Sequence, residues 1–209
     1  LRSPIEPNGV GEVAMERAGV RFEDIRLREL YSCFPCVPKM ARRVLGMGIE
    51  RPLSVTGGLS FFGAPLNNYM THAACAMVRA LRAGNGGPGL LYGQGEFVTK
   101  HHALVMSRQP AAAPLAGDYS VQAAADAARG APPPLLNDYA GPAQIESFTL
   151  IYERDPQPAY GTVIARTPGG ERLLARVPRE DSATVAMLTD LDAQPVGCTG
   201  TVSRLDAKR

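Results

Sequence analysis

The chain has 209 residues, of which 45% are hydrophobic and 20% are charged, and its formal net charge is +2 at pH 7. This length and composition predict a globular protein with one large or two small domains. The small net charge argues against a dedicated nucleic-acid or membrane-surface protein, and no apolar run approaches the roughly 20 residues that span a bilayer. We therefore expect neither nucleic acid nor a membrane as a partner.

The four cysteines, Cys33, Cys36, Cys75 and Cys198, are scattered through apolar segments, which fits a reduced, cytoplasmic protein. Cys33 and Cys36 have the spacing of a redox dithiol, and a buried or site-lining pair is the alternative interpretation. No second cysteine pair is present for zinc, so no metal site is predicted. Because the sequence starts at Leu1 without a signal-peptide pattern, we expect a piece of a longer polypeptide.

Residues 1–107 alternate between helix-forming and strand-forming patterns. The charged Arg26, Arg28 and Glu29 indicate that the first strand is partly exposed and lies at a sheet edge. The predicted elements are helix 7–19, strand 25–31, helix 36–46, strand 53–56, helix 67–82 and an antiparallel strand pair at 89–92 and 97–106. This alternation is typical of an α/β layer structure.

A glycine-rich turn separates the buried strand 53–56 from the helix 67–82. Gly57, Gly58 and Gly63 permit backbone conformations and close approaches that a side chain forbids. The start of the following helix presents unpaired backbone N–H groups that suit an oxyanion or a thioester carbonyl. The alternative is that these glycines only permit tight packing of strand against helix.

Three histidines are candidate site residues. His72 lies one turn into the helix beside Asn67 and Asn68, so it is either a catalytic or carbonyl-polarising group or a surface residue. His101 and His102 are neighbours in a strand and point to opposite faces, so at most one can reach a site. Structural roles are favoured for both.

The second half of the chain changes character. Ala, Pro and Gly dominate residues 108–140, which predicts a semi-rigid linker with a possible short helix over 119–129. Residues 141–209 are all-β apart from one short helix, 182–189. The predicted strands are 145–153, 159–166, 171–176 and 197–204. Short strands around a small helix suggest a compact barrel of the oligonucleotide/oligosaccharide-binding (OB-like) type with a packing or docking role.

The motifs of residues 1–107 resemble the C-terminal half of a thiolase. The segment Glu-Leu-Tyr-Ser-Cys-Phe (29–34) is similar to the His-Asp-Cys-Phe segment of sterol-carrier-protein-type thiolases. Residues 54–65 resemble the thiolase Asn-x-x-Gly-Gly…Gly-His-Pro block, and 93–95 fall where thiolases carry their last glycine-rich loop. The Tyr-Ser-Cys-Phe, Thr-Gly-Gly-Leu…Phe-Phe-Gly and Asn-Asn-Tyr-x-Thr-His strings resemble the thiolase-like protein type 1 group most closely. That group has an additional small β domain, which residues 141–209 resemble.

The resemblance implies an α/β thiolase-like C-terminal domain, a mixed sheet with helices on its faces, over residues 1–107. It also implies an acyltransferase of lipid metabolism, of the acetyl-CoA acetyltransferase type, with acyl-CoA as substrate or ligand and no separate cofactor. The implied catalytic candidates are Tyr31, Cys33 and His72. The implied substrate-binding residues are Gly57, Gly58, Gly63, Asn68, Gly93 and Gly95.

Departures from the thiolase pattern bear on catalysis. Ala64 stands where the Gly-His-Pro motif has its activating His, and Tyr31 stands where His-Asp-Cys-Phe has its His. The half of a thiolase that carries the nucleophilic Cys has no counterpart here, so we expect this chain alone to be inactive without that half as a partner. Two functions stay open: part of an acyltransferase, or a binding protein that holds CoA derivatives or a partner enzyme without chemistry.

Overall fold

The computed structural model describes residues 9–31, 33–84, 87–115 and 117–204 of the chain. The chain divides into two compact units, Leu1–Gly130 and Ala131–Arg209. Each unit has its own sheet: a three-stranded one in the first and a five-stranded one in the second. Below, each unit is described by itself.

The sheet of the first unit is mixed and has helices on both faces. Strand β1 (Leu27–Leu30) pairs parallel with β2 (Gly89–Gly95), which pairs antiparallel with β3 (Lys100–Met106). The helices are α1 (Val10–Arg17), α2 (Cys36–Val44), α3 (Leu59–Phe62) and α4 (Tyr69–Ala83). Single 3-10 turns occur at Phe22–Asp24 and Leu66–Asn68. The predicted helix 7–19 begins partly outside the described residues.

Alternation along β2 places the helices on their two sides. Leu90 packs with Met15 of α1, whereas Leu91 packs with Met77 of α4 on the opposite face. Gly89 and Gly93 share the Leu91 face, and an added Cβ at Gly89 would lie 2.3 Å from Met77 Sδ. These two glycines therefore let α4 lie close against the strand.

Strand β1 lies at the sheet edge, as predicted, but its charged residues are not exposed. Arg28 is 6% exposed and Glu29 is 1% exposed. The Arg28 guanidinium packs over the Phe22 ring and donates to the Ile25 carbonyl oxygen, and burial lowers its pKa. Glu29 points to the other face, toward α4. The prediction of a partly exposed strand was wrong, because Arg28 packs against Phe22 with its Nε buried and without a hydrogen-bond partner among the described residues, while Glu29 is enclosed by donors on the other face.

The predicted strand 53–56 is absent; these residues have irregular backbone. Leu53 keeps one strand-like contact, since its carbonyl oxygen accepts a hydrogen bond from Leu30 N at 2.8 Å. Beyond Leu53, the backbone N–H groups of Val55 and Thr56 donate hydrogen bonds to the Glu29 carboxylate instead of to a neighbouring strand. A side-chain acceptor thus replaces the predicted sheet pairing.

The second unit is a five-stranded sheet in the order β4-β7-β6-β5-β8. Its strands are β4 (Leu135–Leu136), β5 (Gly141–Tyr152), β6 (Pro158–Arg166), β7 (Arg172–Pro178) and β8 (Thr199–Val202). The order is open within the described residues, because β4 and β8 lie at opposite edges. The predicted closed, OB-like barrel is therefore not confirmed.

One face of this sheet carries the core of the second unit. Ile145, Val163, Leu173 and Val177 pack with Leu188 of α6 (Ser182–Thr189). Helix α6 has the predicted bounds, and the Asp181 carboxylate caps it by accepting from Thr184 N at 3.1 Å. The segment predicted as a linker contains α5 (Gln122–Arg129) and β4.

Glu146 lies between two arginines that face each other across β6 and β7. Arg166 Nε donates to Oε1 at 2.9 Å, and Arg172 Nε donates to Oε2 at 2.5 Å. The hydrogen bond from Arg172, followed by that from Arg166, lowers the pKa of Glu146 from 4.5 to about 2. The carboxylate thus separates two like charges that would otherwise repel each other.

We expect Glu146→Gln to reduce the acid sensitivity of the second unit. A lowered folded-state pKa contributes stability above pH 4.5 that is lost as the pH falls toward about 2. The measurement is urea unfolding of both proteins between pH 6 and roughly pH 2, the window that the pKa shift sets. The stability difference should shrink as the pH falls; a difference that is constant with pH would contradict this account.

Candidate functional site

Some of the candidate residues, Tyr31, Cys33 and Gly95, lie at the carboxyl ends of two neighbouring parallel strands. Leu30 of β1 is level with Tyr92 of β2, so both strands run toward the same edge of the sheet. Tyr31 and Cys33 follow β1, and Gln94 and Gly95 end β2. Ligand sites in α/β sheets form at such edges, outside the carboxyl ends of the strands.

Tyr31 is half-buried and is held by an aromatic stack. Its ring lies 4.3 Å from the ring of Tyr69, with an angle of 25° between the planes. Burial raises the pKa of the Tyr31 phenol, and the neighbouring Cys33 adds to the shift. Tyr31 is therefore protonated near neutral pH, and it can donate a hydrogen bond but is a poor base.

Cys33 and Cys36 are free and exposed, as are Cys75 and Cys198. Of the two alternatives, a buried or a site-lining Cys pair, the buried one is therefore wrong, because α2 buries Val37 and Ala41 instead of Cys36. Besides Tyr31, Cys33 has the Gln94 amide as a neighbour, whose Nε2 lies 4.0 Å from Sγ. Gln94 is itself 9% exposed, so Cys33 lies where solvent meets the end of β2.

The glycine-rich turn directs its backbone N–H groups inward. Val55 N and Thr56 N donate to Glu29 Oε2 at 3.1 and 3.2 Å. Gly57 N donates to Ser54 Oγ, and Gly58 N donates to Thr56 Oγ1. Four successive N–H groups are thus satisfied within the turn, so the turn offers no backbone donors to a ligand; the oxyanion donors predicted at the start of the following helix are not among these four.

The glycines of this turn and of β2 differ in what they do. Gly57 has φ +85°, Gly58 +91° and Gly63 +66°, backbone conformations that disfavour other residues. An added Cβ at Gly93 would lie 3.2 Å from Met70 Cγ of α4, and Gly95 lies beside Lys100. The turn glycines therefore set the backbone path, whereas Gly93 allows close packing of α4.

His72 is half-buried at the start of α4 and is paired with Asn68. Asn68 Nδ2 lies 3.2 Å from His72 Nε2, and the Phe62 ring lies 6.1 Å from the imidazole. Because an amide nitrogen only donates, Nε2 accepts and the proton of the neutral ring lies on Nδ1. Asn68 thus bonds to His72 instead of capping the helix.

A hydrogen-bonded cluster of Tyr92, His101 and the Val98 carbonyl supports the turn between β2 and β3. The sequence did not reveal this cluster. The Val98 carbonyl oxygen accepts from His101 Nε2 at 3.0 Å, so Nδ1 accepts from the Tyr92 hydroxyl at 2.7 Å. Burial lowers the pKa of His101 and raises that of Tyr92. His101 therefore has a structural role, as predicted.

Val98 has φ +62°, an unusual backbone conformation for a β-branched residue. Val98 N donates to Gln94 Oε1 at 3.2 Å, so Gln94 links the strained turn to Cys33. Strain of this kind persists only where neighbouring groups hold it, and it is often found near functional sites.

The structure thus brings the candidates together in two groups. One contains Tyr31 and Cys33 with Gln94, and the other contains Asn68 and His72 with Phe62.

A cavity of about 10 Å³ next to Leu30 and Tyr92 involves none of the candidate residues. Over the described part of the chain, no group of three or more His, Cys, Asp or Glu side chains could hold a metal ion. No described helix is long and apolar enough to cross a membrane.

The first unit, a mixed sheet with helices on both faces, has the architecture of a thiolase-like fold. A crystal structure of a monomeric SCP2-thiolase-like protein type 1 from Mycobacterium smegmatis matches with a TM-score of 0.74 and 28% identity. The match covers 90% of this chain but 40% of that protein, so the chain spans less than half of its length. A search of curated proteins found no match.

The family can be stated more closely from the second half of the chain. Residues 121–206 match the family model of the thiolase-like protein type 1 additional C-terminal domain. Together with the structural match, this supports the similarity of the chain to thiolase-like protein type 1 with its additional C-terminal domain. The resemblance predicted from the sequence motifs is confirmed at this level.

Proposed function

We propose that this chain supplies one half of an acyl-CoA site in a thiolase-like acyltransferase. The observation that carries the proposal is the position of Tyr31, Cys33 and Gln94 at one edge of the sheet. A thioester placed there would meet hydrogen-bond donors and a free thiol at the carboxyl ends of parallel strands. Four free cysteines fit a reducing compartment such as the cytoplasm.

In this proposal Tyr31 donates a hydrogen bond to the thioester carbonyl. The phenol keeps its proton because burial raises its pKa, and Tyr69 fixes the plane of its ring. A donor already held in place stabilises charge that develops on a carbonyl oxygen without reorganising. The N–H groups of residues 55–58 are engaged elsewhere, so the donor has to be a side chain or the start of α4.

His72 would act as a second donor in this site. With Nε2 bonded to Asn68, the protonated Nδ1 is the nitrogen left to polarise a carbonyl. As a neutral donor, the ring could stabilise an oxyanion, whereas proton abstraction would require it to exchange partners. Cys33 would line the site beside Gln94, and the acyl-accepting nucleophile would come from a thiolase half outside this chain.

The second candidate is a protein that binds CoA derivatives without catalysis. Two observations favour it: Ala64 is exposed where thiolases have their activating imidazole, and Tyr31, whose pKa is raised by burial, is a poor general base. Both candidates require acyl-CoA to bind, and they differ only in turnover. Binding is therefore the first property to test, and turnover separates the two.

We expect acetyl-CoA to bind the full-length polypeptide that contains both halves of the site, and Tyr31→Phe to weaken that binding by about 3- to 10-fold, the value of one hydrogen bond. His72→Ala should weaken binding to a similar extent. Isothermal titration calorimetry provides the dissociation constants, and the exposed His102→Ala is the matched control. Absence of acetyl-CoA binding by the unmodified protein would exclude both candidates and leave the binding of a partner enzyme as the remaining alternative.

Turnover is measured on the full-length polypeptide with acetoacetyl-CoA and CoA. Thiolysis that is lost in His72→Ala would support the acyltransferase. Tight acetyl-CoA binding without turnover would exclude the acyltransferase and support the second candidate, a protein that binds CoA derivatives without catalysis.

A further inference from the structure

Glu29 is a buried carboxylate without a cationic partner among the described residues. It is 1% exposed, and no described arginine or lysine forms an ion pair with it. Five donors surround it instead. Oε2 accepts from Ser54 Oγ, Val55 N, Thr56 N and Thr56 Oγ1 at 2.8 to 3.2 Å, and Oε1 accepts from the Tyr69 hydroxyl at 2.9 Å.

Burial of the Glu29 carboxylate costs free energy, and the directed hydrogen bonds that it accepts give it a role in fixing the local conformation. A buried charge loses its hydration, and an apolar side chain of similar size would fill the same space without that loss. Hydrogen bonds to a carboxylate, in contrast, depend on direction and hold their donors in one place. Three of the residues that Glu29 binds belong to one short stretch, 54–56, which has no sheet pairing of its own. Glu29 therefore determines the path of the backbone into Gly57 and Gly58.

The same carboxylate also reaches the aromatic stack. Tyr69 begins α4, donates to Glu29 Oε1 and contacts the Thr56 hydroxyl. Its ring stacks on Tyr31 at 4.3 Å. A displacement of Tyr69 would thus change the position of Tyr31. One buried acid consequently links the glycine-rich turn, the start of α4 and the proposed thioester donor.

We propose that Glu29 is a positioning residue for acyl-CoA binding, acting through the 54–58 backbone and through Tyr69 on Tyr31. The inference rests on the proposed function and deepens it. Glu29 itself does not touch the ligand. Its effect is transmitted by the groups that it holds.

The test compares Glu29→Gln and Tyr69→Phe with a control for general destabilisation. Tyr69→Phe keeps the ring that stacks on Tyr31 and removes only the hydroxyl link. Met15→Ala is the control, because Met15 is 6% exposed and packs in the separate cluster of Ile25 and Leu90. Acetyl-CoA affinity, thermal unfolding and hydrogen exchange of the amides of Val55, Thr56, Gly57 and Gly58 are measured for each.

We expect affinity to fall by about tenfold in Glu29→Gln and about threefold in Tyr69→Phe, the range of one or two altered hydrogen bonds. The four amides should exchange faster in Glu29→Gln but not in Met15→Ala. The double variant should lose less than the product of the two single effects, because both break one link. Rescue of the loss by a lower temperature alone would indicate a merely structural role.

The outcomes are distinguishable from those for the proposed function. If the unmodified protein binds acetyl-CoA and Glu29→Gln binds equally well, Glu29 is not a positioning residue and the proposed function stands. If affinity falls in proportion to stability in all variants, including Met15→Ala, the inference is likewise overturned. If the unmodified protein does not bind, the proposed function fails, and the inference fails with it.

Discussion

Replacing Met77 by alanine is expected to lower the free energy of unfolding by about 2–5 kcal/mol, the usual cost of such a core deletion. Met77 has no exposed surface and lies in the middle of α4, where it packs with Tyr69, Ala73 and Leu91. The cavity left behind would separate α4 from β2. Because α4 carries His72 and Tyr69, its attachment to the sheet also determines the site.

The same contact can be tested from the strand. A Cβ at Gly89 would lie 2.3 Å from Met77 Sδ, so Gly89→Ala should overpack the contact and cost about 1–3 kcal/mol. In the double variant the added methyl group occupies space that the shorter side chain vacates. The combined loss should therefore be smaller than the sum of the two single losses.

Denaturant unfolding measures all three variants, and Ile49→Ala is the control because Ile49 is 82% exposed. We expect that control to change stability by less than about 0.5 kcal/mol. Strictly additive losses at Met77 and Gly89 would show that the two residues do not share a contact.

Leu188→Ala is expected to destabilise the second unit by about 2.7–5 kcal/mol, the range for buried leucines. Leu188 is 4% exposed, and α6 is the helix whose residues pack on the sheet core of Ile145, Val163 and Leu173. Gly161 leaves space for it, since a Cβ there would lie 3.4 Å from Leu188 Cδ1. Loss of this side chain therefore removes much of the cover from one face of the sheet.

Hydrogen exchange of the β6 and β7 amides measures the effect of this substitution directly. Leu191→Ala is a matched control a few residues away, because Leu191 is 98% exposed. Protection should decrease in Leu188→Ala and stay unchanged in Leu191→Ala. Equal protection in both variants would contradict the assignment of Leu188 to the core.

Both units place a polar cluster where a sequence pattern alone indicated an ordinary strand. In the first unit, Glu29 takes the role of a neighbouring strand for residues 54–56. In the second, Glu146 lets Arg166 and Arg172 face each other in register. A carboxylate that accepts several directed bonds can thus replace either sheet pairing or charge separation.

The sequence alone determined the order of the helices and strands wherever the hydrophobic periodicity or the helix-capping signal was strong. The apolar spacing of α4, the hairpin of β2 and β3, and α6 between Ser182 and Thr189 were predicted because local chemistry decides them. The motifs around Tyr31, Gly57 and Asn68 were likewise sufficient to indicate thiolase-like protein type 1.

Only the tertiary structure decided what those motifs do. Glu29, which the strand pattern placed at an exposed edge, is buried and collects donors that are 25 to 40 residues away in sequence. Gly93 faces Met70 of a distant helix, and Cys36 is exposed at the start of α2. Burial and hydrogen-bond partners depend on which elements pack together, and no local period contains that information.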